Sequence, residues 1–294
     1  MVCGTHLSVQ ARGSIIDTPV GPTLIRKIGR GPHVYVIHGG PGFDHSYLIE
    51  PLMPVAARRT LIFYDQPGCG GTPVNDGRLS ALSTFQHFRA LVRAVTADRD
   101  FGVIAHSWGA LVLAGALAPA TDATPPIADP IEGLLINPVP IKSESYKFIQ
   151  RRQASSVSAW VRLKIFLLAS DPRNGPRILK LLLPSYTAGE FLLPPSDPFP
   201  LNIKTYRAVS RTLNRFDFSL SMPRLKQLAV VQGEDDFTKP SDIAALIDVA
   251  RYVEVLKGAG HFPFWDSPDA FASALTKAFV PRALVPGESV GQRA

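Results

Sequence analysis

The chain alternates between short apolar runs and longer segments with helical periodicity over most of its length. Six apolar runs predict buried strands, at residues 33–37, 60–64, 101–105, 131–136, 228–232 and 252–256. Helical patterns lie between or after these runs, at residues 45–57, 82–95, 109–118, 240–249 and 268–279. Near the start, residues 5–10 and 20–28 predict an antiparallel hairpin. Strands that alternate with helices are typical of an α/β fold with a mostly parallel, twisted sheet flanked by helices.

The alternation stops between residues 138 and 222. Helical patterns at residues 160–169 and 178–183 are separated there by proline-rich turns. We therefore predict that this region is a helical cap inserted into the sheet domain. The predicted parts are an α/β core at residues 1–137 and 223–281, the cap at 138–222, and a loose tail at 282–294.

Composition limits the classes of protein that fit. Hydrophobic residues make up 46% of the 294 residues, which excludes disorder for most of the length. No apolar run approaches the roughly 20 residues that cross a bilayer. Residues 1–6 lack both a basic start and an apolar signal core. We expect a cytoplasmic protein without a membrane span, and the sequence leaves its oligomeric state open.

Cysteine content and charge bear on cofactors and partners. Cys3 and Cys69 make no disulfide framework, and neither has a metal-like partner at short spacing. We therefore expect no metal and no cofactor. The net charge of +7 raises nucleic acid as a partner, but the basic residues are scattered and no nucleic-acid-binding motif accompanies them. A solvated basic surface is the better interpretation, and the expected partner is a small-molecule substrate.

The strand at residues 101–105 leads into a sharp turn that carries Ser107. A helix follows immediately, so the serine hydroxyl is expected to stand above the sheet beside the N–H groups of the first helical turn. Strand and helix backbones press on such a turn, which requires small residues two positions before and after the serine. Ala105 and Gly109 meet that requirement. An N-capping serine would give a similar local pattern, so other segments must decide between the two.

Two further segments follow the last two predicted strands. Glu234-Asp235-Asp236 comes after one strand, and Gly260-His261 after the next. Groups at the carboxyl ends of parallel strands collect at one edge of the sheet. A serine hydroxyl needs a base such as imidazole, and the imidazole needs a carboxylate to orient it. We predict Ser107, His261 and Asp236 as the catalytic residues, with Asp235 as the alternative acid.

The glycine-rich loop after residues 33–37 is the second chemical feature. Acyl transfer passes through an oxyanion, which requires preorganised N–H donors. We predict the N–H groups of Gly40 and Trp108 for this role, with Gly39 as the alternative to Gly40. A phosphate-binding loop is a poorer interpretation, because the lysine of a P-loop and the spacing of a dinucleotide fingerprint are both missing.

Four motifs carry a resemblance to a known family. They are His38-Gly39-Gly40-Pro41-Gly42, Tyr64-Asp65-Gln66-Pro67-Gly68-Cys69-Gly70, Ser107-Trp108-Gly109 and Gly258-Ala259-Gly260-His261. With these motifs in this order, the chain resembles the prolyl iminopeptidase-like family of α/β-hydrolases over roughly residues 30–137 and 224–280. The resemblance implies an α/β-hydrolase fold, a Ser-His-Asp hydrolase and a helical cap.

The predicted cap departs from the prolyl iminopeptidases themselves. In the enzymes that the chain resembles, glutamates in a Trp-rich segment of the cap bind the free amino group of the substrate. Here Trp160 is followed by Val161 and Arg162, with no neighbouring glutamate. Residues 138–222 contain thirteen Lys and Arg against five acids, which disfavours a cationic substrate. Glu144 is the candidate amine ligand.

The sequence therefore predicts a serine hydrolase that cleaves a small ester, lactone or amide through an acyl-enzyme. Gly39, Phe43 and Glu144 are the candidate substrate contacts. Three alternatives stay open. One is a prolyl iminopeptidase, the second is a lyase, cyclase or acyltransferase on the same scaffold, and the third is a non-catalytic ligand-binding receptor.

Overall fold

A computed structural model describes residues 13–74, 79–96, 100–119, 125, 127–188, 201–225 and 227–279. The predicted strand at residues 5–10 and the predicted tail at 282–294 lie outside these ranges. The described strands are β1 (Ser14–Thr18), β2 (Gly21–Gly29), β3 (His33–Ile37), β4 (Thr60–Tyr64), β5 (Phe101–His106), β6 (Glu132–Ile136), β7 (Leu228–Gly233) and β8 (Tyr252–Leu256). They form one sheet in the order β1-β2-β4-β3-β5-β6-β7-β8.

Most of the sheet is parallel, as the alternating pattern predicts. The pairs from β4–β3 across to β7–β8 are parallel. The β1–β2 and β2–β4 pairs are antiparallel. The N-terminal hairpin is present, but its first strand is Ser14–Thr18 and pairs with Gly21–Ile25. A two-residue turn suffices for this pairing, so the hairpin is tighter than the one predicted from residues 5–10 and 20–28.

The described α-helices are α1 (Ile49–Ala56), α2 (Ala81–Thr96), α3 (Trp108–Leu117), α4 (Ser143–Ser156), α5 (Ala159–Leu168), α6 (Gly175–Leu182), α7 (Ile203–Arg211), α8 (Ala244–Ile247), α9 (Pro263–Asp266) and α10 (Pro268–Ala278). The helix predicted over 240–249 is shorter and begins as a 3₁₀ helix, Pro240–Ile243. Ile243 departs from helical backbone angles and separates that turn from α8. No described helix is long and apolar enough to cross a membrane.

The central strands are buried on both faces of the sheet. In β3, Tyr35 and Ile37 belong to one hydrophobic cluster, whereas Val34 and Val36 belong to the other. This division follows from the strand geometry, in which successive side chains point to opposite faces. Helices α2 and α3 cover the first face, and α1 and α10 cover the second. Continuously apolar strands of this kind are typical of a parallel sheet between helical layers.

The segment between β6 and β7 contains α4–α7 and interrupts the alternation of strands and helices. Backbone hydrogen bonds tie its two ends together, from Ser143 N to Phe216 O at 2.9 Å and from Phe218 N to Ile141 O at 3.0 Å. Helix α4 buries Tyr146 against the first cluster, and α6 contributes buried side chains to the second. These contacts hold the helices over the carboxyl edge of the parallel strands.

Candidate active site

Ser107 lies between the end of β5 and the start of α3. Its backbone has φ 54° and ψ −119°, and a positive φ is rare for a residue other than glycine. Its N–H donates to the carbonyl of Ile136 at 3.0 Å, which fixes the turn against β6. A Cβ on Gly109 would lie 2.4 Å from the Ile37 oxygen, so only glycine fits there. The sharp strand-to-helix turn is therefore built as the sequence predicts.

Three side chains from the ends of different strands meet at this turn. His261 Nε2 is 2.8 Å from Ser107 Oγ. His261 Nδ1 is 3.0 Å from each carboxylate oxygen of Asp236. All three side chains are buried. The arrangement fixes one tautomer, because Nδ1–H donates to the carboxylate and leaves Nε2 free to accept the serine proton.

Four donors hold the carboxylate of Asp236. Its Oδ2 accepts from Asn137 Nδ2 at 2.7 Å and from Gln232 Nε2 at 3.0 Å. Its Oδ1 accepts from Thr238 N at 3.2 Å, and the fourth donor is the imidazole of His261. Asp235, the alternative in the sequence, is exposed and not brought to His261. The three donors other than His261 hold the Asp236 side chain in place beside the imidazole.

The glycine-rich loop approaches Ser107 from β3. Gly39 N–H donates to Tyr47 Oη at 2.8 Å, so this N–H already has an acceptor. Gly40 has φ +127°, and a Cβ there would lie 2.6 Å from Gly42 N. Trp108 is the first residue of α3, where backbone N–H groups have no acceptor within the helix. Of the predicted donors, Gly40 and Trp108 therefore remain the better pair.

The turn after β4 links this loop to the helix that follows Ser107. Gln66 N–H donates to His38 Nε2 at 3.0 Å, and the Gln66 side-chain amide donates to the His38 carbonyl at 2.8 Å. Trp108 Nε1–H donates to Gln66 Oε1 at 2.9 Å. Three of the sequence motifs are thus joined by one buried glutamine.

A second buried chain of hydrogen bonds joins the loop to His261. The His261 carbonyl can only accept, so His106 carries its proton on Nε2, and its Nδ1 accepts from the Tyr47 hydroxyl at 2.7 Å. His106 Nε2–H then donates to the His261 carbonyl at 3.0 Å. Burial, together with the nearby His261, holds the pKa of His106 well below its ordinary value. His106 therefore stays neutral and serves as a link between Tyr47 and the His261 backbone.

A cavity of about 690 Å³ begins at Gly40 and Pro41 and extends beneath α4–α7. Of the two candidate substrate contacts in the glycine-rich loop, Phe43 lines the cavity and Gly39 does not. Its apolar wall includes Val157, Ile165, Phe166, Leu179, Leu182 and Ile203. Its charged lining residues are Arg162 and Arg207, and no carboxylate lines it within the described chain. Glu144 is exposed on the first turn of α4 and lies outside the lining, so the structure does not bring this predicted amine ligand to the cavity.

Tyr186 connects the cavity with the histidine. Its side chain lines the cavity, and its ring centroid is 5.3 Å from that of His261. Its carbonyl accepts the His261 N–H at 2.6 Å. Burial raises the pKa of the Tyr186 hydroxyl, which keeps it protonated.

Sequence reasoning missed four of these supporting residues, namely Asn137, Gln232, Tyr47 and Tyr186. Asn137 directly follows β6, and Gln232 lies near the end of β7. Their positions at the carboxyl edge of the sheet could have indicated that they belong to the site. Tyr47 and Tyr186 had none, because only long-range contacts bring them to the site. Among the described residues, no cluster of His, Cys, Asp and Glu has the make-up of a metal site.

Comparison with known proteins agrees with this fold. A profile of the alpha/beta hydrolase family matches residues 34–274, and the chain belongs to this family. The proline iminopeptidase of Heyndrickxia coagulans is 36% identical over 104 residues, which are 34% of this chain and 35% of that protein. The chain thus matches about a third of the length of that relative.

Solved structures resemble the chain over nearly its whole length. A proline iminopeptidase-related protein from Thermus thermophilus has a TM-score of 0.65 at 22% identity, covering 91% of this chain and 97% of that one. A thermophilic esterase from Thermogutta terrifontis has a TM-score of 0.62 at 17% identity, with the same two coverages of 91% and 97%. At these identities the likeness establishes the fold alone.

Proposed function

We propose that the protein is a hydrolase that uses Ser107 as a nucleophile and forms an acyl-enzyme. The observation that carries the proposal is the geometry of His261, whose Nε2 is 2.8 Å from Ser107 Oγ and whose Nδ1 is 3.0 Å from both Asp236 oxygens. A base must lie within hydrogen-bond reach of the proton it removes, and these distances satisfy that condition.

The proposed reaction follows from the hydrogen bonds. His261 Nε2 takes the Ser107 proton as Oγ attacks the substrate carbonyl, and Asp236 stabilises the imidazolium that forms. The N–H groups of Gly40 and Trp108 receive the oxyanion. His261 then returns the proton to the leaving group, and a water molecule activated by the same imidazole releases the acyl group from Ser107. No metal or cofactor takes part in this scheme.

The substrate we propose is a small ester, lactone or amide whose acyl part is neutral or anionic. Residues 138–222 act as a cap in this proposal, since α4–α7 roof the cavity that begins at Gly40. The apolar wall suits a hydrocarbon portion, and the positive charge of Arg162 and Arg207 disfavours an ammonium group.

A second candidate is proline iminopeptidase activity, favoured by the match to the Heyndrickxia coagulans enzyme. Such an enzyme must hold a cationic amino group, and a buried cation requires a compensating negative charge. The described cavity lining contains no carboxylate that supplies it. The lining therefore supports the neutral or anionic substrate over the free amine.

Two substrates with the same leaving group distinguish the candidates. Proline p-nitroanilide carries a free amine, and N-acetylproline p-nitroanilide does not. We expect kcat/KM for the blocked compound to equal or exceed that for the free one, because the lining offers cations and no anion. The measurement is p-nitroaniline release by the wild type, with Ser107→Ala as the blank. A free-amine preference of about 100-fold or more would establish the iminopeptidase instead.

The chain from Tyr47 through His106 to His261 gives a separate prediction. Tyr47→Phe removes the hydroxyl that holds both Gly39 N–H and His106 Nδ1. Loss of one such buried hydrogen bond corresponds to about tenfold in rate. We expect kcat for a p-nitrophenyl ester to fall about tenfold at unchanged KM, because the change disturbs the alignment of the loop and the imidazole rather than substrate binding.

Tyr35→Phe is the matched control for this variant. Tyr35 is also buried and its hydroxyl contacts Thr96, but its side chain lies on the opposite face of the sheet from Tyr47. Both variants are expected to unfold at lower urea concentration than the wild type, and only Tyr47→Phe should lose turnover. Equal turnover in the two variants would show that the Tyr47 hydroxyl has a structural role alone.

A further inference from the structure

Helix α5 exposes an apolar face. Trp160, Leu163 and Leu167 are spaced three and four residues apart, so they share one stripe of the helix. Their exposed fractions are 65%, 45% and 63%, and no residue of α5 is buried. Large side chains exposed together in this way mark an interaction surface more often than isolated exposed ones. We call these three residues the α5 stripe.

The opposite side of α5 packs against the protein and lines the cavity. Ile165 and Leu168 pack against the hydrophobic cluster on the second face of the sheet. Arg162, Ile165 and Phe166 line the cavity. The helix thus lies between the cavity and solvent, and the α5 stripe contributes to neither the core nor the cavity lining.

Positive charge predominates in the part of the sequence that contains the α5 stripe. Residues 143–182, which span α4 to α6, contain eight Lys and Arg and two acids. Lys164 Nζ lies 5.6 Å from the centroid of the Trp160 ring. Two of the eight cations are paired with acids, Arg152 with Asp242 and Arg173 with Asp171, and Glu144 lies in the first turn of α4, far from α5. An apolar stripe flanked by cations is the pattern of a helix that lies in the interface of an anionic membrane.

We propose that the α5 stripe docks on the surface of an anionic phospholipid bilayer. Trp160, Leu163 and Leu167 would enter the boundary between headgroups and acyl chains, and the surrounding Lys and Arg side chains would face lipid phosphates. Indole prefers that boundary, since its ring is apolar and its N–H is polar. The docked protein would hold α5 between the lipid and the cavity.

Charge disfavours a second copy of the chain as the occupant. A two-fold dimer would bring the same surface of both copies together, and each would carry the excess of Lys and Arg in residues 143–182. Like charges brought together at an interface repel. An anionic bilayer offers an apolar phase and the opposite charge together, which is the combination that the stripe requires.

The test measures binding to vesicles of phosphatidylcholine with and without phosphatidylglycerol. We expect the full chain to sediment with phosphatidylglycerol vesicles, to bind pure phosphatidylcholine vesicles at least about tenfold more weakly, and to dissociate as salt is raised. Trp160 emission should shift to shorter wavelength on binding. Trp108 is fully buried and Trp265 half-buried, so Trp160→Phe should abolish that shift.

The double variant Leu163→Glu/Leu167→Glu should bind phosphatidylglycerol vesicles at least about tenfold more weakly. Leu220→Glu is the matched control, because Leu220 is 90% exposed on a 3₁₀ helix that packs against α3. Vesicle binding by Leu220→Glu should fall by less than about half, because this variant adds one negative charge and leaves the α5 stripe intact. Equal binding by the double variant and the wild type would overturn the proposal. A stable dimer that the double variant abolishes, or equal binding to polyglutamate and to vesicles, would also overturn it.

Docking does not depend on the proposed catalytic mechanism. The double variant retains the cavity lining and Ser107, so its turnover of a water-soluble ester should equal that of the wild type. Failure of vesicle binding with intact turnover counts against docking alone. Absence of turnover in the wild type counts against the proposed function alone.

Discussion

Alanine in place of Ser107 is expected to lower kcat for an activated ester by roughly 10⁴- to 10⁶-fold. The substitution removes the oxygen that lies 2.8 Å from His261 Nε2 and leaves only the oxyanion donors and the cavity. Stability should change little, because the serine hydroxyl contributes a single hydrogen bond at this turn. The measurement is steady-state hydrolysis of p-nitrophenyl esters with urea unfolding measured alongside.

Ser221→Ala is the control for a serine removed elsewhere. Ser221 is also buried, at 3% exposure, and lies in the 3₁₀ helix Ser219–Arg224. It should retain turnover within about twofold of the wild type. Turnover in Ser107→Ala that matches Ser221→Ala would mean that the ester is cleaved without this nucleophile.

Asparagine in place of Asp236 is expected to lower kcat by roughly 10⁴-fold. The amide keeps the size of the side chain but turns one acceptor into a donor. Asn137 Nδ2 and Gln232 Nε2 both donate to Oδ2, so the asparagine oxygen is drawn to them and its NH₂ faces His261 Nδ1. His261 would then carry its proton on Nε2, the nitrogen that must accept the Ser107 proton.

Asp235→Asn is the matched control, since it makes the same change one residue earlier. Asp235 is exposed, and only its backbone N–H is fixed, donating to the Ala259 carbonyl at 2.9 Å. Its turnover should stay within about twofold of the wild type. A loss in Asp235→Asn equal to that in Asp236→Asn would remove Asp236 from its proposed role.

The strands and the serine turn could be predicted because their signals are local. Continuous apolar runs identify β3, β4 and β5 to within a residue. The strand-to-helix turn at Ser107 needs a small residue two positions after the serine. Gly109 meets this need, so the five residues 105–109 are enough to predict the turn. The positions of Asp236 and His261 at one sheet edge follow from the parallel topology alone.

The choice between Asp235 and Asp236 could not be predicted in this way. Adjacent residues in a loop have no periodicity that says which side chain turns inward. The choice rests on Asn137 and Gln232, which hold the Asp236 carboxylate from two other places in the chain. The absence of a carboxylate at Asn137 was visible in the sequence, but its role as a donor to Asp236 was not.

The helices over the cavity were the hardest part to predict. Helix α4 buries only Tyr146 and Ile149, so the apolar periodicity of this helix is weak. Glu144 was singled out by its charge and its place after β6, yet it is exposed on α4. Which residues line a cavity depends on how several helices pack, and pattern within one helix does not specify that packing.

Covalent labelling tests the role of Ser107 most directly. A fluorophosphonate reacts with a serine only when a neighbouring base activates it. Mass spectrometry of the digested protein should find one adduct per chain, on Ser107, and the Ser107→Ala variant should remain unlabelled. An unlabelled wild type, or an adduct on another serine that persists in Ser107→Ala, would contradict the proposed mechanism.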